Sequence, residues 1–389
     1  MQISRCLVLV LAASVSVACD PGILSGGEPV LEPDVFALQP DAGPVEPGPD
    51  GAVSPGADAV VAPLDAVVPA PDTQPPKDRT GCVEGNYLPY RGDLHTHTSY
   101  SDGEGTPAAA FKYARDTSGL DFLSVTDHVN KLTVTEYKQC KAAADAANNP
   151  GTYVAFCSYE AQFGGHGNFL FAPSIIPMPS SRKEFYSALV ACAQCVGQFN
   201  HPGSDKFPWP DWTYNKAADA QLHMIEMAGF ALPEYIEALD AGWHVAPAWN
   251  SDTHSANWGS SGRRTVIFAK DLTRNELRAA MRGHRTNAAN DKNAALVLKA
   301  DGCWMGSTLG GWTSASFTVE ATDLNAGDGF KNVQLRGPTG KQLASVSCGD
   351  KTVCTGTRKL TLKPPTYVFA LATQTDGNHV VSAPIWFAP

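Results

Sequence analysis

The sequence lacks two features that would point directly to a partner, namely a basic segment and a long apolar run. From Asp20 to Pro76 there are ten acidic residues and no Lys or Arg, so this segment alone accounts for the net charge of −10. The remainder is close to neutral. Because the remainder has no basic excess, its charge does not predict binding to a long nucleic acid or to an anionic membrane surface.

The apolar run at the N-terminus, Cys6–Val17, is about a dozen residues long and too short to cross a bilayer. Arg5 precedes it, and the tripeptide Ser-Val-Ala leads to Cys19. This order resembles the processing site of bacterial lipoproteins, so it predicts a signal peptide over residues 1–18 and a lipid anchor on Cys19. The protein is then expected to be membrane-anchored in the bacterial cell envelope. The alternative is secretion of a soluble protein after cleavage at Ala18.

Residues 19–79 have the composition of a disordered tether. The stretch from Ala18 to Arg79 holds 13 of the 29 prolines and many Ala, Gly and Asp residues, without hydrophobic periodicity. Such a sequence cannot bury enough apolar surface to offset the entropy lost on ordering. We therefore expect a spacer between the anchor and the folded part.

Eight cysteines lie from Cys82 onward, and export would allow them to oxidise. Cys348 and Cys354 flank the segment GDKTV, which predicts a disulfide across a hairpin. Cys192 and Cys195 form a C-x-x-C sequence. A redox or zinc site there is an alternative to a structural disulfide or buried thiols.

Between residues 80 and 290, short apolar runs alternate with amphipathic segments, which indicates repeated β and α units. Three amphipathic segments open with a capping-box sequence. The pattern predicts a parallel sheet, either open or closed into a barrel. The predicted strands are Gly92–Thr98, Phe122–Thr126, Tyr153–Tyr159, Gly167–Phe171, Val196–Asn200, Met224–Met227 and Val245–Asn250. The predicted helices are Pro107–Thr117, Val134–Ala147, Arg182–Ala193, Glu234–Ala241 and Arg274–Gly283.

Residues 291–389 show a different pattern, with β-rich runs such as SASFTVEAT and TYVFALAT separated by Gly, Asn, Asp and Pro. This pattern predicts a small antiparallel β-sandwich domain. We expect the β-sandwich to pack against the domain that precedes it. Contact with a glycan is an alternative role for it.

Histidine and acidic residues occur at or beside the ends of the predicted strands. The segment GDLHTHTSYSDG contains two histidines at i and i+2, which project to the same face of a strand. In an α/β barrel the carboxyl ends of the strands meet at one mouth, so side chains at these ends are expected to share a cavity. The nine candidate metal ligands are His95, His97, Asp102, His128, Glu160, His166, His201, Asp252 and His254.

Imidazole and carboxylate ligands together suit Zn, Mn or Fe. Nine ligands are too many for one four-coordinate ion, so we predict two or three divalent ions with Glu160 as a bridge. Clustered ions lower the pKa of a bridging water from about 15.7 towards about 7, which gives hydroxide at neutral pH. The pattern therefore indicates a hydrolase.

The segments GDLHTHTSYSDG, TDH, GHGN, NHP and SDTH, together with Glu160, resemble the PHP (polymerase and histidinol phosphatase) superfamily of metallohydrolases. Among its branches, the similarity is to the carbaryl-hydrolase-type (CehA/McbA-like) group, which GHRTNAAND and APIWF also resemble. The resemblance implies a distorted (β/α)7 barrel over residues 80–290, followed by the β-sandwich. It also implies a trinuclear metal site with the nine candidates as ligands, although some members have His where this chain has Asp102.

Three residues are candidate catalytic groups. They are Glu160, Asp127 and Arg285. Asp127 precedes a candidate ligand and is predicted either to orient a metal ligand or to be an ordinary acid at a strand end. Arg285 is preferred over Arg263 and Arg264 for bidentate binding of an anionic substrate oxygen, with a surface role as the alternative.

Tryptophans follow two of the candidate ligands. Trp209, Trp212 and Trp258 are predicted either to wall a substrate pocket or to pack the loops. The remaining histidines match no ligand pattern and are interpreted as structural or surface residues: His223, His244, His284 and His379.

Three functions fit these observations. The first is a phosphoesterase acting on a small phosphate mono- or diester, for which nucleic acid would be a substrate only as a short oligonucleotide. The second is hydrolysis of a carboxylic ester, carbamate or amide by the same metal site. Arg285 at the metals would favour the first, and an apolar, Trp-walled pocket the second. The third is a non-catalytic envelope protein that binds a glycan or protein.

Overall fold

The computed structural model describes residues 77–204, 209, 211–227 and 229–389. The predicted signal peptide over residues 1–18, the Cys19 anchor and residues 19–76 of the predicted tether lie outside the described residues. Within the described part of the chain, no helix has both the length and the apolar character needed to cross a membrane.

The helices of the described chain agree closely with the sequence pattern. They are α1 Pro107–Asp116, α2 Val134–Ala147, α3 Arg182–Ala191, α4 Lys216–Asp219, α5 Leu232–Asp240 and α6 Arg274–Arg282. Thr133 and Glu136 form a complete capping box at the start of α2. The side chains of Ser181 and Thr273 cap α3 and α6. The five predicted helices are confirmed to within about two residues at each end, whereas the short α4 was not predicted.

The strands are short before residue 290 and longer after it. The first ten are β1 Leu88–Asp93, β2 Phe122–Val125, β3 Val154–Cys157, β4 Tyr159–Gln162, β5 His166–Leu170, β6 Val196–Asn200, β7 Leu222–Glu226, β8 Ala246–Ala248, β9 Arg264–Ala269 and β10 Thr286–Ala289. The others are β11 Ala295–Ala300, β12 Cys303–Trp304, β13 Thr308–Gly310, β14 Ser314–Thr322, β15 Phe330–Arg336, β16 Gln342–Lys351, β17 Val353–Thr361, β18 Thr366–Gln374, β19 His379–Ser382 and β20 Ile385–Ala388.

Two sheets carry the candidate ligands. The larger runs β13-β20-β18-β19-β10-β9-β1-β2-β3, with β15 and β16 joined to it at β18, and the smaller runs β4-β5-β6-β7-β8. Strands connected by a helix, such as β1 and β2 or β6 and β7, are parallel. By contrast, β5 is antiparallel to both its neighbours, and β9 is antiparallel to β1. Both sheets are therefore mixed.

The two sheets are linked beside the candidate ligands. Thr96, just past β1, forms a parallel bridge with Thr253, which follows β8. His128, just past β2, forms a parallel bridge with Glu160 in β4. Backbone pairing thus passes from one sheet to the other at two points. Closure into a distorted (β/α)7 barrel stays a prediction.

Strands after residue 290 form the four-stranded sheet β12-β11-β14-β17 and also extend the larger sheet. β19 is antiparallel to β10, so the larger sheet contains strands from both sides of residue 290. A group of buried apolar side chains that includes Phe122, Phe268 and Phe317 is likewise shared by the two parts. We therefore expect the described chain to unfold as one unit.

Four disulfides lie within the described chain. Cys348–Cys354 is present, which confirms the predicted pair. It joins the consecutive strands β16 and β17, which pair in different sheets and not with each other as a hairpin. Cys192 and Cys195 bond to each other, so the C-x-x-C sequence forms a disulfide. Cys140–Cys157 joins α2 to β3. Cys82–Cys303 joins the segment before β1 to β12 across 221 residues of sequence.

Candidate metal centre

A cavity of about 410 Å³ opens beside the carboxyl ends of β2, β6 and β8 and the amino end of the antiparallel strand β5. Seven predicted ligands line it, namely Asp102, His128, Glu160, His166, His201, Asp252 and His254. The other two, His95 and His97, are fully buried and contact Glu160 and Asp252. The structure therefore brings all nine predicted ligands together.

The ligand atoms fall into three overlapping groups, within each of which all atoms lie within 4.8 Å of one another. The groups are His97, Asp102, His128 and His254; His95, His97 and Glu160; and Glu160, His166 and His201. Glu160 and His97 each belong to two groups. Shared ligands of this kind are expected where neighbouring ions lie close together.

The ligand atoms within these groups lie as close to one another as atoms that coordinate the same metal ion. His95 Nε2 lies 3.2 Å from His97 Nε2 and 3.2 Å from Glu160 Oε1. His201 Nε2 lies 3.1 Å from His166 Nδ1. Tetrahedral ligands bonded at about 2.0–2.1 Å lie about 3.4 Å apart. Because imidazole nitrogens and carboxylate oxygens also suit Zn, Mn or Fe, the residues fit the predicted metals.

Asp252 joins the first two groups, and its backbone is strained. Its Oδ1 lies 3.0 Å from His97 Nε2 and 3.3 Å from His95 Nε2.

Two of the predicted ligands have a strained backbone. The φ angle is 51° at Asp252 and 29° at His201, positive values that residues other than glycine rarely adopt. Strained backbone is concentrated at functional sites, and both of these residues are predicted ligands.

The buried carboxylates depend on positive charge around them. Glu160 is 1% exposed, and burial raises the pKa of its carboxyl. His95 and three further histidines outweigh burial and hold that pKa well below its usual value. Burial lowers the pKa of His95, but Asp252, Glu160 and Glu226 outweigh it and raise the pKa well above its usual value. Bound cations would supply the same compensation.

Glu226, the last residue of β7, was not predicted as a site residue. Its Oε1 lies 3.2 Å from His95 Nδ1, and its Oε2 accepts a hydrogen bond from the backbone N–H of His201 at 2.7 Å. Asn250 Nδ2 donates to Oε1 at 2.9 Å. A carboxylate behind a ligating histidine fixes its tautomer and ring orientation. The signal in the sequence was an acid at the end of the apolar strand LHMIE.

Asp127 holds the loop that carries Asp102. Its carboxylate accepts hydrogen bonds from the backbone N–H and the hydroxyl of Thr98, at 2.8 and 2.6 Å, and from Ser101 Oγ at 2.6 Å. The loop folds back so closely that a Cβ at Gly103 would lie 2.7 Å from a backbone atom of His97. This placement favours the orienting role over that of an ordinary acid.

Gln162 and Ser204 line the cavity without having been predicted, and Lys131 contacts one of its ligands. Lys131 Nζ lies 2.7 Å from Asp102 Oδ2, and Gln162 Nε2 lies 3.2 Å from His128 Nδ1. Lys131 follows β2 and Gln162 ends β4. Nothing in their sequence context distinguishes them from other surface residues.

Arg285 lies at the opposite end of the larger sheet from the cavity. Its backbone carbonyl accepts a hydrogen bond from Phe268, which is paired with Pro89 near the amino end of β1. His95 follows the carboxyl end of that strand, about 20 Å further along at roughly 3.3 Å per residue. The guanidinium lies 4.4 Å from the ring centre of Tyr87. The predicted contact of Arg285 with substrate is therefore corrected, because its side chain packs on Tyr87.

The tryptophans pack the loops, and so does Arg264, over which Arg285 was preferred. Trp258 Nε1 donates to the carbonyl of His97 at 2.9 Å. Trp209 and Trp212 also donate within the protein and are 6% and 8% exposed. Arg264 is buried and donates to three backbone carbonyls of the preceding loop. The structure thus favours loop packing over a tryptophan-walled pocket.

His223 and His284 form a separate pair, with Nδ1 and Nε2 3.4 Å apart. They lie near the amino ends of β7 and β10, away from the cavity. His244 pairs with Asp219 at 2.9 Å, and the ring of His379 lies beside Phe230. As the sequence predicted, none of these four histidines lines the cavity.

No protein-family model and no curated protein matches the chain. Among solved structures, one similar chain is an engineered protein from the Northeast Structural Genomics Consortium. It shares 12% identity and a TM-score of 0.21, covering 71% of this chain and 51% of that one. The aligned part thus spans about half the length of that structure, and at this TM-score the likeness carries no argument about fold or function.

Proposed function

We propose that this protein is a metal-dependent hydrolase that resembles the PHP superfamily. The observation that supports the proposal is the convergence of nine His, Asp and Glu side chains at one cavity, where eight of them form three overlapping groups and Asp252 contacts His95 and His97. When bound, two or three divalent ions would lower the pKa of a coordinated water towards neutrality and offset negative charge that develops on the substrate.

Glu160 is proposed as the shared ligand because its two oxygens face different neighbours. Its Oε1 lies 3.0 Å from His166 Nδ1 and 3.2 Å from His95 Nε2, whereas its Oε2 lies 2.8 Å from His128 Nδ1. Glu226 would keep the Nε2 atom of His95 directed at the cavity, and Asp127 would hold the loop of Asp102.

We propose a small phosphate mono- or diester as the substrate. Three of the nine ligands are carboxylates, and Glu226 behind His95 adds a fourth negative charge. Three divalent ions would outweigh these charges and that of a bound hydroxide, which would leave the site with net positive charge and favour an anionic substrate over a neutral one. The cavity of about 410 Å³ has the size of a small-molecule site. A cavity of this size would admit only the terminal nucleotide of a short oligonucleotide.

Hydrolysis of a carboxylic ester, carbamate or amide is the alternative. It is favoured by the position of Arg285, since no arginine among the described residues lines the cavity to bind phosphoryl oxygens. The tryptophans do not discriminate between the two, because they pack the loops. The third function, a non-catalytic envelope protein, would leave the convergence of nine ligands unexplained.

Metal content and activity test the proposal together. We expect two or three transition-metal ions per chain. We expect His95→Ala and Asp252→Ala to lose metal and to reduce hydrolysis more than about 100-fold. Mutation of residues that only hydrogen-bond to metal ligands already lowers metal affinity or activity about 10–100-fold. Elemental mass spectrometry and turnover assays measure both. His379→Ala and Asp376→Ala, outside the cavity, are matched controls. Unchanged metal content and activity in the cavity variants would disprove the proposal.

A substrate panel on the Mn- and Zn-loaded protein separates the two chemistries. It compares an aryl phosphomonoester, an aryl phosphodiester, a nucleoside bisphosphate, an aryl carboxylic ester and an aryl carbamate. Turnover of phosphates alone is the expected result. Turnover of the ester or carbamate alone would replace the phosphoesterase proposal with carbonyl hydrolysis.

We further propose that the enzyme acts in the bacterial cell envelope, held to a membrane by a lipid on Cys19, with plain secretion as the alternative. The disulfide Cys82–Cys303 supports export, since disulfides persist in oxidising compartments. Metabolic labelling with a fatty acid tests the anchor, and Cys19→Ser should abolish the label.

A further inference from the structure

A second group of acidic side chains lies away from the candidate metal centre. Asp291 follows β10, whereas Asp323 and Asp328 lie in the turn between β14 and β15. Their carboxylate oxygens lie within 4.8 Å of one another. Asp291 is 7% and Asp323 is 5% exposed. Among the described residues, no Lys, Arg or His nitrogen lies within 4.0 Å of these carboxylates.

Gln374 contributes a buried oxygen to the same place. It ends β18 opposite Phe330, two residues after Asp328. Its side chain is fully buried, and its Nε2 donates to Asp323 Oδ2 at 2.6 Å. Its Oε1 is buried without a hydrogen-bond partner. A buried amide oxygen that lacks a donor is costly, so a ligand that it could bind is expected.

The surroundings leave the negative charge only partly compensated. Burial and the charges of Asp291 and Asp328 raise the pKa of Asp323. Arg91 lies near Asp291 and Asp323, but its Nη2 donates to the backbone carbonyl of Asn293 at 2.8 Å and not to these carboxylates. Backbone N–H groups of residues 293, 294 and 325 and the side-chain amide of Asn325 donate to these carboxylates. These neutral donors reduce the repulsion between the carboxylates without cancelling their charge, which a cation between them would do.

We propose that Asp291, Asp323, Asp328 and the side-chain oxygen of Gln374 bind one calcium ion. The donors are all oxygen, which favours a hard cation over Zn. Calcium accepts six to eight oxygens in irregular geometry, whereas Mg²⁺ demands near-ideal octahedral geometry. The ion would fasten the turn after β10 to the turn before β15, which lie on opposite sides of residue 290.

Calcium titration of the complete, metal-loaded protein tests the proposal. We expect Ca²⁺ to raise the Tm, with half of the effect at about 0.1–1 mM, the range of extracellular calcium sites. Mg²⁺ is expected to produce a smaller rise. The absence of any rise up to about 10 mM Ca²⁺, or an equal rise with Mg²⁺, would overturn the proposal.

Variants identify the ligands. Equilibrium dialysis should show at least about tenfold weaker Ca²⁺ binding for Asp323→Asn and for Gln374→Met, because each removes one of few protein ligands. Glu320→Gln removes an exposed carboxylate near the end of β14 and is the matched control, expected to bind normally. Normal binding by Gln374→Met would overturn the assignment, even if Asp323→Asn fails to fold. Metal content of the nine-ligand centre and hydrolysis should stay unchanged in Gln374→Met, so the two proposals can fail separately.

Discussion

Glu226 contacts two predicted metal ligands from outside the cavity, through the ring of His95 and the backbone of His201. Burial raises its pKa, but His95 outweighs burial and the pKa is lowered, so the side chain is ionised at neutral pH. Glu226→Gln removes this charge and keeps the shape. We expect metal affinity to fall about 10–100-fold with the fold retained. Competition with a chelator, followed by elemental mass spectrometry, measures the affinity.

Glu237→Gln is the matched control for this prediction, because Glu237 is an exposed residue on α5. Its metal affinity should equal that of the unaltered protein. If Glu226→Gln also binds metal normally, the carboxylate does not act through His95 and the interpretation is wrong.

Among the individual residues of the site, the sequence could predict the metal ligands but not the residues around them. The nine candidate ligands were recognisable because residue types that bind metals recur at strand ends, and the structure brings all nine together. Glu226 and Lys131 were not predicted, because their contacts depend on which strands lie side by side. Arg285 was misplaced for the same reason, since antiparallel pairing puts it at the far end of the sheet.

At the scale of elements, helices were predicted better than strands. Capping residues and apolar periodicity are local, and the five predicted helices are present. β1 ends at Asp93, earlier than predicted, because the next residues pair with a loop: His97 N–H donates to Thr253 O, and Asp252 N–H donates to His95 O. The antiparallel partners β5 and β9 depend on tertiary contacts, which the sequence pattern does not contain.

The histidine pair at the amino ends of β7 and β10 predicts an acid-sensitive element. Burial, with a smaller effect of Arg282, lowers the pKa of His223 to about 4. Burial and the charges of His223 and His244 lower that of His284 to about 3. An unfolded histidine has a pKa of about 6.5, so below that pH only the unfolded state takes up these protons. Stability is therefore unaffected above pH 6.5 and falls as the pH drops towards 4.

Urea unfolding between pH 7.5 and about 4.5 should show this loss, at up to about 1.4 kcal/mol per pH unit for each histidine. His223→Gln removes one of the two groups, so its unfolding free energy should depend less steeply on pH. His379→Gln, at a half-buried site, is the control and should change the slope less. Equal slopes for His223→Gln and the unaltered protein would rule out this source of acid sensitivity.

At the scale of the whole molecule, the parts before and after residue 290 share a sheet, a core and the disulfide Cys82–Cys303. The disulfide spans 221 residues, so it removes many conformations from the unfolded chain. We expect the paired substitutions Cys82→Ser and Cys303→Ser to lower the free energy of unfolding by about 2–5 kcal/mol. Urea unfolding in a single transition would measure the loss.

Cys192 and Cys195 provide the comparison, because their disulfide spans only three residues. Replacing both with Ser should cost less stability, since a short loop restricts the unfolded chain less. An equal or greater loss from this pair would show that loop length does not determine the effect.

The disulfide between Cys82 and Cys303 also determines what a protease would leave behind. A single cut at any bond between these two residues would give one piece that contains Cys82 and another that contains Cys303. The pieces would stay covalently attached and would migrate together on a gel until a reductant was added. A protein nicked in this way would keep all nine predicted ligands in one covalently linked molecule, because the segment before β1 stays fastened to β12.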